Sequence, residues 1–139
     1  MAEVDFPRPR PTALSAPFWA AANEGRLVLQ RCTACAAFRW TPQLLCIRCH
    51  SDVYEWIQAS GRGRIYSATV VHRAPSPAFT APYQVAVVEL EEGPLMLTRI
   101  IDYGPGEVEI GQAVEVAFTR LDDEINLYTF RPAPSEGLA

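Results

Sequence analysis

The sequence predicts a mainly β protein, in which a short helix and a small metal-binding module precede a five-stranded barrel. Three observations lead to this prediction. An alanine-rich run lies between Ser15 and Gly25, two Cys-x-x-Cys pairs lie within residues 32–49, and five strand-like segments separated by turn signals follow residue 60. At 139 residues the chain has room for one domain, or for two very small modules that share a core.

The helix is predicted from its end signals. Ser15 is a favourable N-cap, Pro17 lies in the first turn where a missing N–H costs nothing, and Gly25 is a natural stop. A helix of about nine residues is marginal by itself in water, so its aromatic residues Phe18 and Trp19 need a surface to pack on. Adjacent helical positions point about 100° apart, so we expect this pair to contact a partner chain.

The chain divides into four predicted segments. Residues 1–14 alternate prolines with arginines and are predicted to be an extended arm. Residues 15–59 hold the helix and the metal module, residues 60–132 form the barrel, and residues 133–139 are predicted to be a flexible tail.

The metal module rests on the spacing of the four cysteines, Cys32, Cys35, Cys46 and Cys49, with ten residues between the two pairs. Two such knuckles bring four thiolates to one point, which suits tetrahedral Zn²⁺ at about 2.3 Å per bond. Four sulfur ligands leave no open position for a reactive water, so we expect a structural ion that contributes to folding and no metal catalysis. Iron bound by the same ligands stays open as an alternative.

The residues around the cysteines suggest how the metal is accommodated. The hydrophobic and aromatic loop between the pairs is expected to shield the site through Phe38, Trp40, Leu44 and Leu45. Arg31, Arg39 and Arg48 are expected to balance its net charge of about −2. A single redox-active pair would lie in a βαβ pattern, which the sequence lacks, and disulfides are disfavoured in a reducing compartment.

The five segments after residue 60 predict a Greek-key barrel of the OB type, with an SH3-like barrel as the alternative. They are GRIYSATVVHR, PYQVAVVEL, PLMLTRII, AVEVAFTRL and LYTFRP. Gly61 and Gly63 are expected to permit the strong bend that the first barrel strand requires.

Composition excludes several classes of protein. The net charge of −4 argues against a dedicated nucleic-acid binder. The twelve cationic side chains are all arginine, which excludes Schiff-base catalysis and phosphate binding by lysine. No apolar run approaches the ~20 residues that span a bilayer, and the first residues lack the layout of a signal peptide, so we expect a cytoplasmic protein.

Independent catalysis is also not expected. The two histidines, His50 and His72, are interpreted as surface or loop residues, and the acidic triplet at residues 122–124 as a solvated turn. No acid–base pair stands out in the sequence.

Several linked blocks resemble a known family. They are PFWAAANEGRLVLQRC, the two cysteine pairs, EWIQASGRGRIYSATVVHRAPSPAF, PYQVAVVELEEG and IGQAVEVAF. Together they span residues 16–132 and resemble the zinc-ribbon and OB-fold accessory proteins of the domain of unknown function 35 (DUF35) family. The resemblance implies a helix, a rubredoxin-like ribbon that binds metal through the four cysteines, and an OB-fold.

The family's knuckles usually carry glycine directly after the second cysteine, where the backbone is left-handed. This chain has Ala36 and His50 there. A non-glycine residue in that conformation costs about 1 kcal/mol, which is small against the ~10 kcal/mol or more of metal binding.

The resemblance implies a function as well as a fold. Family members associate with thiolase-like enzymes, with hydroxymethylglutaryl-CoA-synthase-like enzymes or with hydratases, and in sterol side-chain and aromatic degradation they complete thiolase-fold aldolases or thiolases. We therefore expect a non-catalytic subunit, in a hetero-oligomer such as two plus two, that helps to form the partner enzyme's channel for a CoA thioester. An accessory partner of an acyl-CoA hydratase is one alternative.

The expected CoA contacts combine cations for the phosphates with aromatic residues for the apolar parts. The candidates are Arg62, Arg64, Arg73, Phe79 and Tyr83, the last three in or beside a long proline-rich loop. The second alternative is a single-stranded nucleic-acid-binding module. Its stacking faces would come from Tyr66, Phe118, Tyr128 and Phe130.

Overall fold

The computed structural model of the chain describes residues 7–103 and 107–134. The start of the predicted arm, residues 1–6, and most of the predicted tail, residues 135–139, lie outside the described residues. In the part of the chain that the structure describes, no helix has the length and apolar character needed to cross a bilayer.

The described residues form one helix and eight strands. In chain order they are α1 (Ala16–Asn23), β1 (Val28–Cys32), β2 (Phe38–Arg39), β3 (Tyr54–Gln58), β4 (Arg62–Val71), β5 (Tyr83–Leu90), β6 (Leu95–Ile100), β7 (Ala113–Arg120) and β8 (Asn126–Pro132). Strands β2, β1 and β3 form a small antiparallel sheet, and the last five strands close into a barrel. The predicted fold class is confirmed.

The barrel has the strand order β4-β5-β6-β8-β7, and β7 pairs with β4 to close it. All its strand pairs are antiparallel except β6 and β8, which run parallel. This is the order of the predicted OB fold, because the first strand pairs with both the second and the fourth. Alternate residues of each strand point inward and fill the barrel with apolar side chains, among them Ile65, Val88, Leu90, Met96, Ile100, Val114 and Phe130.

The first barrel strand shifts register against β5 between Ile65 and Ser67, an irregularity of the kind that bends a strand. Of the two glycines predicted to permit the bend, Gly61 has φ +80°, and a Cβ on Gly63 would lie 2.6 Å from the carbonyl oxygen of Glu89 on the neighbouring strand. Their part in the bend stays a prediction.

The ends of α1 follow the sequence signals only in part. Ser15 occupies the N-cap position, but its hydroxyl accepts a hydrogen bond from the Thr12 N–H at 2.9 Å instead of capping the helix. At the other end Gly25 has φ +77°, and the Arg26 N–H donates to the Ala21 carbonyl at 2.9 Å. This is a Schellman-type ending, which glycine makes without steric cost.

The helix packs on its own chain, and the prediction that Phe18 contacts a partner is wrong. Phe18 is 1% exposed, and its ring centroid lies 4.5 Å from that of Trp40 and 5.7 Å from that of Tyr128. Trp19 is partly buried against the same Tyr128 ring, at 6.4 Å. Because α1 lies in the corner between the small sheet and the barrel, two helical directions 100° apart both reach apolar surface.

Polar contacts attach the helix and the arm to the hairpin between β7 and β8. The Asn126 N–H donates to Asn23 Oδ1 at 2.9 Å, and Asn23 Nδ2 donates to the Glu124 carbonyl at 2.7 Å. Arg8 Nε donates to Asp122 Oδ2 at 2.6 Å, and this contact lowers the pKa of the Asp122 carboxyl. The acidic turn is therefore not merely a solvated loop, since it binds the arm of its own chain.

We expect Gly63→Ala to lower the free energy of unfolding by about 1–3 kcal/mol, because the added methyl group would meet the Glu89 carbonyl and the Val88 side chain. Gly25→Ala is the matched control: it adds the same methyl group in open space and carries only the cost of a positive φ, about 1 kcal/mol. Urea denaturation of the three proteins measures both effects. A Gly63→Ala protein as stable as the original would contradict the close approach of β4 and β5.

Candidate metal centre and partner surfaces

The two cysteine pairs form knuckles with the same hydrogen-bond pattern. In each, the N–H of the first cysteine, Cys32 or Cys46, donates to the carbonyl five residues later at 2.9 Å. The N–H four residues later donates back to that cysteine's carbonyl at 2.8 Å. The first knuckle continues from β1, and the second lies in the loop between β2 and β3. The repeated local geometry aims all four sulfur atoms at a common point.

The sulfur positions fit a tetrahedral metal ion. All four Sγ atoms lie within 4.8 Å of one another, and the pairs Cys32–Cys49 and Cys35–Cys46 are each 3.6 Å apart. Four sulfur atoms at about 2.3 Å from a tetrahedral Zn²⁺ are about 3.8 Å from each other. Donor set and spacing therefore agree with a closed structural zinc site.

Backbone N–H groups favour the thiolate form of the first cysteine in each knuckle. Those of Cys49 and Arg48 hold the pKa of the Cys46 thiol at about 6, well below its ordinary value. The N–H groups of Cys35 and Ala34 likewise lower the pKa of Cys32. Hydrogen bonds to the charged form of an acid stabilise that form, so the first cysteine of each knuckle is prepared for metal binding.

The residues after the second cysteines have the predicted left-handed backbone. Ala36 has φ +66° and His50 has φ +64°. Each knuckle therefore accepts the strain that glycine would avoid. The His50 side chain is exposed and lies outside the cluster of four cysteines.

The leucines expected to shield the metal point to solvent instead. Leu44 is 68% exposed and Leu45 is 54% exposed. Phe38 and Trp40, the other two residues expected to shield the site, are partly buried against the core. The high exposure of the two leucines does not favour the shielding role predicted for them.

A buried polar network lies beside the knuckles and was missed by the sequence analysis. Arg39, predicted to balance the charge of the metal site, is 5% exposed and donates to Gln30 Oε1 at 2.9 Å and to the Gln43 carbonyl at 2.9 Å. Its guanidinium also lies over the Tyr54 ring, 5.1 Å from the centroid. No local signal marks Gln30 as buried, because the two residues meet only through the pairing of β1 with β2.

The residues predicted to contact CoA do not form one site. Arg62 and Arg64 lie beside a cavity of about 920 Å³ at the end of the barrel where β4 meets β7. Glu89 and Glu91 line the same cavity, and Arg64 Nη1 donates to the Gly111 carbonyl at 3.0 Å. Glu89 and Glu91 would repel a polyanion at this end of the barrel. The Arg64 guanidinium is also already hydrogen-bonded within its own chain.

The other predicted contacts lie at the opposite end of the β4–β5 ladder. Six residues of β5, about 20 Å, separate Tyr83 from Glu89. The Phe79 and Tyr83 rings stack with centroids 5.8 Å apart, and the guanidinium of Arg99, which the sequence analysis missed, lies 5.6 Å from the Tyr83 centroid. Arg73 is exposed in the adjoining loop. We call these four residues the loop cluster.

Charge is unevenly distributed along the chain. Residues 25–88 contain seven arginines and two carboxylates, a net charge of +5, although the whole chain carries −4. No Asp or Glu occurs in residues 25–51 or in residues 56–88. The knuckles and three residues of the loop cluster, Arg73, Phe79 and Tyr83, therefore lie in the part of the sequence with a positive net charge, where Asp52 and Glu55 follow the second knuckle.

The aromatic residues considered for nucleic-acid stacking are mostly unavailable. Tyr66 is 56% exposed, but Phe130 is fully buried, and Phe118 and Tyr128 pack against the core. One exposed ring is a poor platform for successive bases. The structure does not favour the nucleic-acid alternative.

A closed four-thiolate ribbon joined to an OB barrel defines a zinc-ribbon and OB-fold protein. Residues 19–55 match the ChsH2 rubredoxin-like zinc ribbon domain, and residues 56–119 match the ChsH2 C-terminal OB-fold domain. A DUF35 domain-containing scaffold protein of Methanocaldococcus jannaschii is 35% identical over 116 residues, which cover 79% of this chain and 82% of that protein. The chain belongs to the DUF35 family, which confirms the resemblance seen in the sequence.

The names of two further relatives include an enzyme activity. A chain in the solved structure of the Ltp2-ChsH2(DUF35) aldolase is 40% identical, with a TM-score of 0.83, and the match covers 90% of this chain and 98% of that one. A probable enoyl-CoA hydratase alpha subunit of Thermomonospora curvata is 41% identical over 127 residues, which cover 91% of this chain. The chain spans only 40% of the length of this hydratase subunit.

We expect Ala36→Gly to stabilise the metal-loaded protein by about 1 kcal/mol, because glycine adopts the left-handed backbone of the knuckle without strain. Ala34→Gly is the matched control: Ala34 is exposed in the same knuckle, and its φ lies outside the left-handed region. It is expected to destabilise the protein slightly, by backbone entropy. Thermal melts of the zinc-loaded proteins distinguish the two, and an Ala36→Gly protein no more stable than the original would contradict the assigned strain.

Proposed function

We propose that this chain is a non-catalytic accessory subunit that binds a thiolase-like acyl-CoA enzyme and forms part of the surface that contacts its CoA thioester. The observation that carries the proposal is the match to the DUF35 chain of an aldolase complex over 98% of that chain. The name of the scaffold protein of Methanocaldococcus jannaschii supports the same non-catalytic role.

The chemistry of the described residues supports an accessory role. The four cysteines are assigned as metal ligands in a site without an open coordination position, so none of them serves as a nucleophile. The imidazoles of His50 and His72 are exposed, and within residues 7–103 and 107–134 neither has a hydrogen-bonding or ionic partner. An acid–base catalyst needs such a partner to orient it, so the chain's own residues favour binding over reaction.

We propose the loop cluster as the CoA contact. CoA combines phosphates with an adenine ring, and the cluster combines the exposed Arg73 and Arg99 with the stacked rings of Phe79 and Tyr83. Arg73 has no carboxylate within ten residues in the sequence, and Arg99 has Asp102 three residues away. Arg62 and Arg64, in contrast, share their cavity with both Glu89 and Glu91. The cations at the loop end are therefore better suited to phosphate than those at the cavity end.

The comparisons favour an aldolase-type partner over a hydratase. The match to the aldolase complex accounts for almost the whole of that DUF35 chain, while more than half of the hydratase subunit lies outside its match. Since thiolase-fold enzymes are at least dimeric, we propose one copy of this chain on each enzyme subunit, in a two-plus-two assembly.

Co-expression tests the proposed role. We expect the chain to co-purify with a thiolase-like acyl-CoA enzyme subunit, tested with Ltp2 and with any such subunit encoded beside this chain's gene. Native mass spectrometry measures the stoichiometry, and turnover of a CoA thioester should require the enzyme subunit. Turnover by the purified chain alone, or no complex with any of these subunits, would overturn the proposal.

Charge removal tests the CoA contact. In the complex we expect Arg73→Ala and Arg99→Ala each to raise KM for the CoA thioester about three- to tenfold with kcat little changed, because each removes one cation that contacts phosphate. Arg120→Ala is the matched control, since Arg120 is exposed on β7 and donates to the Asp123 carbonyl at 2.7 Å. An unchanged kcat/KM in both loop variants would show that CoA does not contact the loop cluster.

A further inference from the structure

The two metal-binding knuckles differ in what holds them in place. Cys32 and Cys35 lie at the turn between β1 and β2, two strands that pair directly with each other. Cys46 and Cys49 lie within residues 40–53, which contain no helix or strand. The hairpin therefore places the first pair of ligands, whereas the second pair depends on other contacts that hold residues 40–53 against the small sheet.

A network of buried side chains makes such a contact. Gln30 Oε1 accepts hydrogen bonds from Arg39 Nε at 2.9 Å and from the Gln43 N–H at 2.8 Å, and Arg39 Nη2 donates to the Gln43 carbonyl at 2.9 Å. We call these three residues the clasp. Gln30 and Arg39 are 1% and 5% exposed, so water competes little for these bonds. The clasp binds both backbone polar groups of Gln43 and thereby fixes the chain three residues before Cys46.

Strand pairing places the clasp beside the first knuckle. Gln30 on β1 lies opposite Arg39 on β2, and opposite residues of an antiparallel ladder have their side chains on the same face of the sheet. Cys32 is two residues beyond Gln30 on β1, so its side chain lies on that face as well. The clasp and a buried metal ligand therefore share one side of the small sheet, with the Cα atoms of Gln30 and Cys32 about 7 Å apart.

The Arg39 guanidinium also contacts the third strand of the small sheet. It lies 5.1 Å from the centroid of the Tyr54 ring, and Tyr54 on β3 is the ladder partner of Cys32. Through its side chain Arg39 thus contacts β1, β3 and the loop that leads to the second knuckle. The clasp is the point at which the sheet and this loop are joined.

Stability alone explains the clasp poorly. None of the ion pairs within residues 7–103 and 107–134 includes Arg39, and in the same part of the chain Arg39 Nη1 and Gln30 Nε2 have no acceptor. A buried cation without a carboxylate and a buried donor without an acceptor each oppose folding. Apolar residues of similar volume are often at least as stabilising as buried ionic groups. What the hydrogen bonds add is direction, since they specify where the Gln43 backbone lies.

We propose that the clasp is a positioning device for the metal centre: it holds the second knuckle against the first, so that the second pair of cysteines depends on Gln30 and Arg39, which are not ligands. This inference concerns the chain by itself and goes beyond the proposed function. Without the clasp, metal binding has to order the approach to the second knuckle, and the affinity for metal falls accordingly.

Two matched glutamine substitutions test the clasp. We expect Gln30→Met, which removes the shared acceptor, to raise Kd for Zn²⁺ about tenfold or more, measured on the full chain by competition with a chromophoric chelator. Gln84→Met is the control, because Gln84 is also buried, at 4% exposed, and its Nε2 donates to the Thr69 carbonyl at 2.7 Å in the barrel. It should lower the stability of the barrel and change Kd for Zn²⁺ less than about twofold, since it lies outside the ribbon.

Alkylation of the cysteines shows which knuckle is affected. In zinc-loaded Gln30→Met protein, we expect iodoacetamide to modify the second pair of cysteines faster than in the original chain, with a smaller change for the first pair. Mass spectrometry measures the rate at each cysteine, and each rate is compared with that of the same cysteine in the original chain. A general loss of stability would accelerate all four by a similar factor, and that result would overturn the proposal.

Arg39→Lys decides the outcome if Gln30→Met does not fold. Lysine keeps the charge but cannot donate to Gln30 and Gln43 as a planar fork, so we expect Kd for Zn²⁺ to rise about three- to tenfold with the same selective alkylation of the second pair. Circular dichroism and the melting temperature identify the folded variants.

Two results would overturn the clasp and leave the proposed function standing. One is a folded Gln30→Met or Arg39→Lys protein that binds Zn²⁺ as tightly as the original chain. The other is a Gln84→Met protein whose affinity for Zn²⁺ falls as much as that of Gln30→Met. The proposed function is tested separately, by complex formation with an enzyme subunit.

Discussion

The convergence of four thiolates is the constraint on which the ribbon depends. A loop that exposes Leu44, Leu45 and Ile47 gains little from burying apolar surface, so the hydrophobic effect alone does not hold the second knuckle in place. Metal binding supplies the folding free energy that so little apolar burial cannot give the second knuckle. The same device leaves these apolar side chains on the surface of the knuckle.

An aromatic cluster transmits this order to the barrel. Phe18 of the helix touches Trp40 of the ribbon and Tyr128 of the barrel, and Trp40 and Tyr128 also contact each other edge to face, with centroids 5.7 Å apart. Reciprocal hydrogen bonds between the Asn23 and Asn126 regions reinforce the joint. Ribbon and barrel are thereby connected through the helix.

The net charge of the whole chain differs in sign from that of the segment that holds most of the proposed contacts. A net charge of −4 argues against binding a phosphate polymer, and the buried aromatic residues of the barrel agree. Within this acidic protein, residues 25–88 carry +5, and the carboxylates are concentrated elsewhere. The exposed Arg73 and Arg99 of the loop cluster are the cations on which the proposed contact with the phosphates of CoA depends.

Local features of the chain were determined by the sequence alone: the cysteine spacing, the alternation of the barrel strands, and the positive φ expected after each second cysteine, seen at Ala36 and His50. Each depends on residues close together in the chain, whose geometry covalent structure and short-range hydrogen bonds control. Tertiary structure alone decided that Phe18 is inside and Leu44 is outside, and that Arg99 joins Tyr83 about 20 Å from the cavity end of β5. Those outcomes depend on which surfaces meet when the strands pair and the barrel closes, and sequence periodicity carries no information about that.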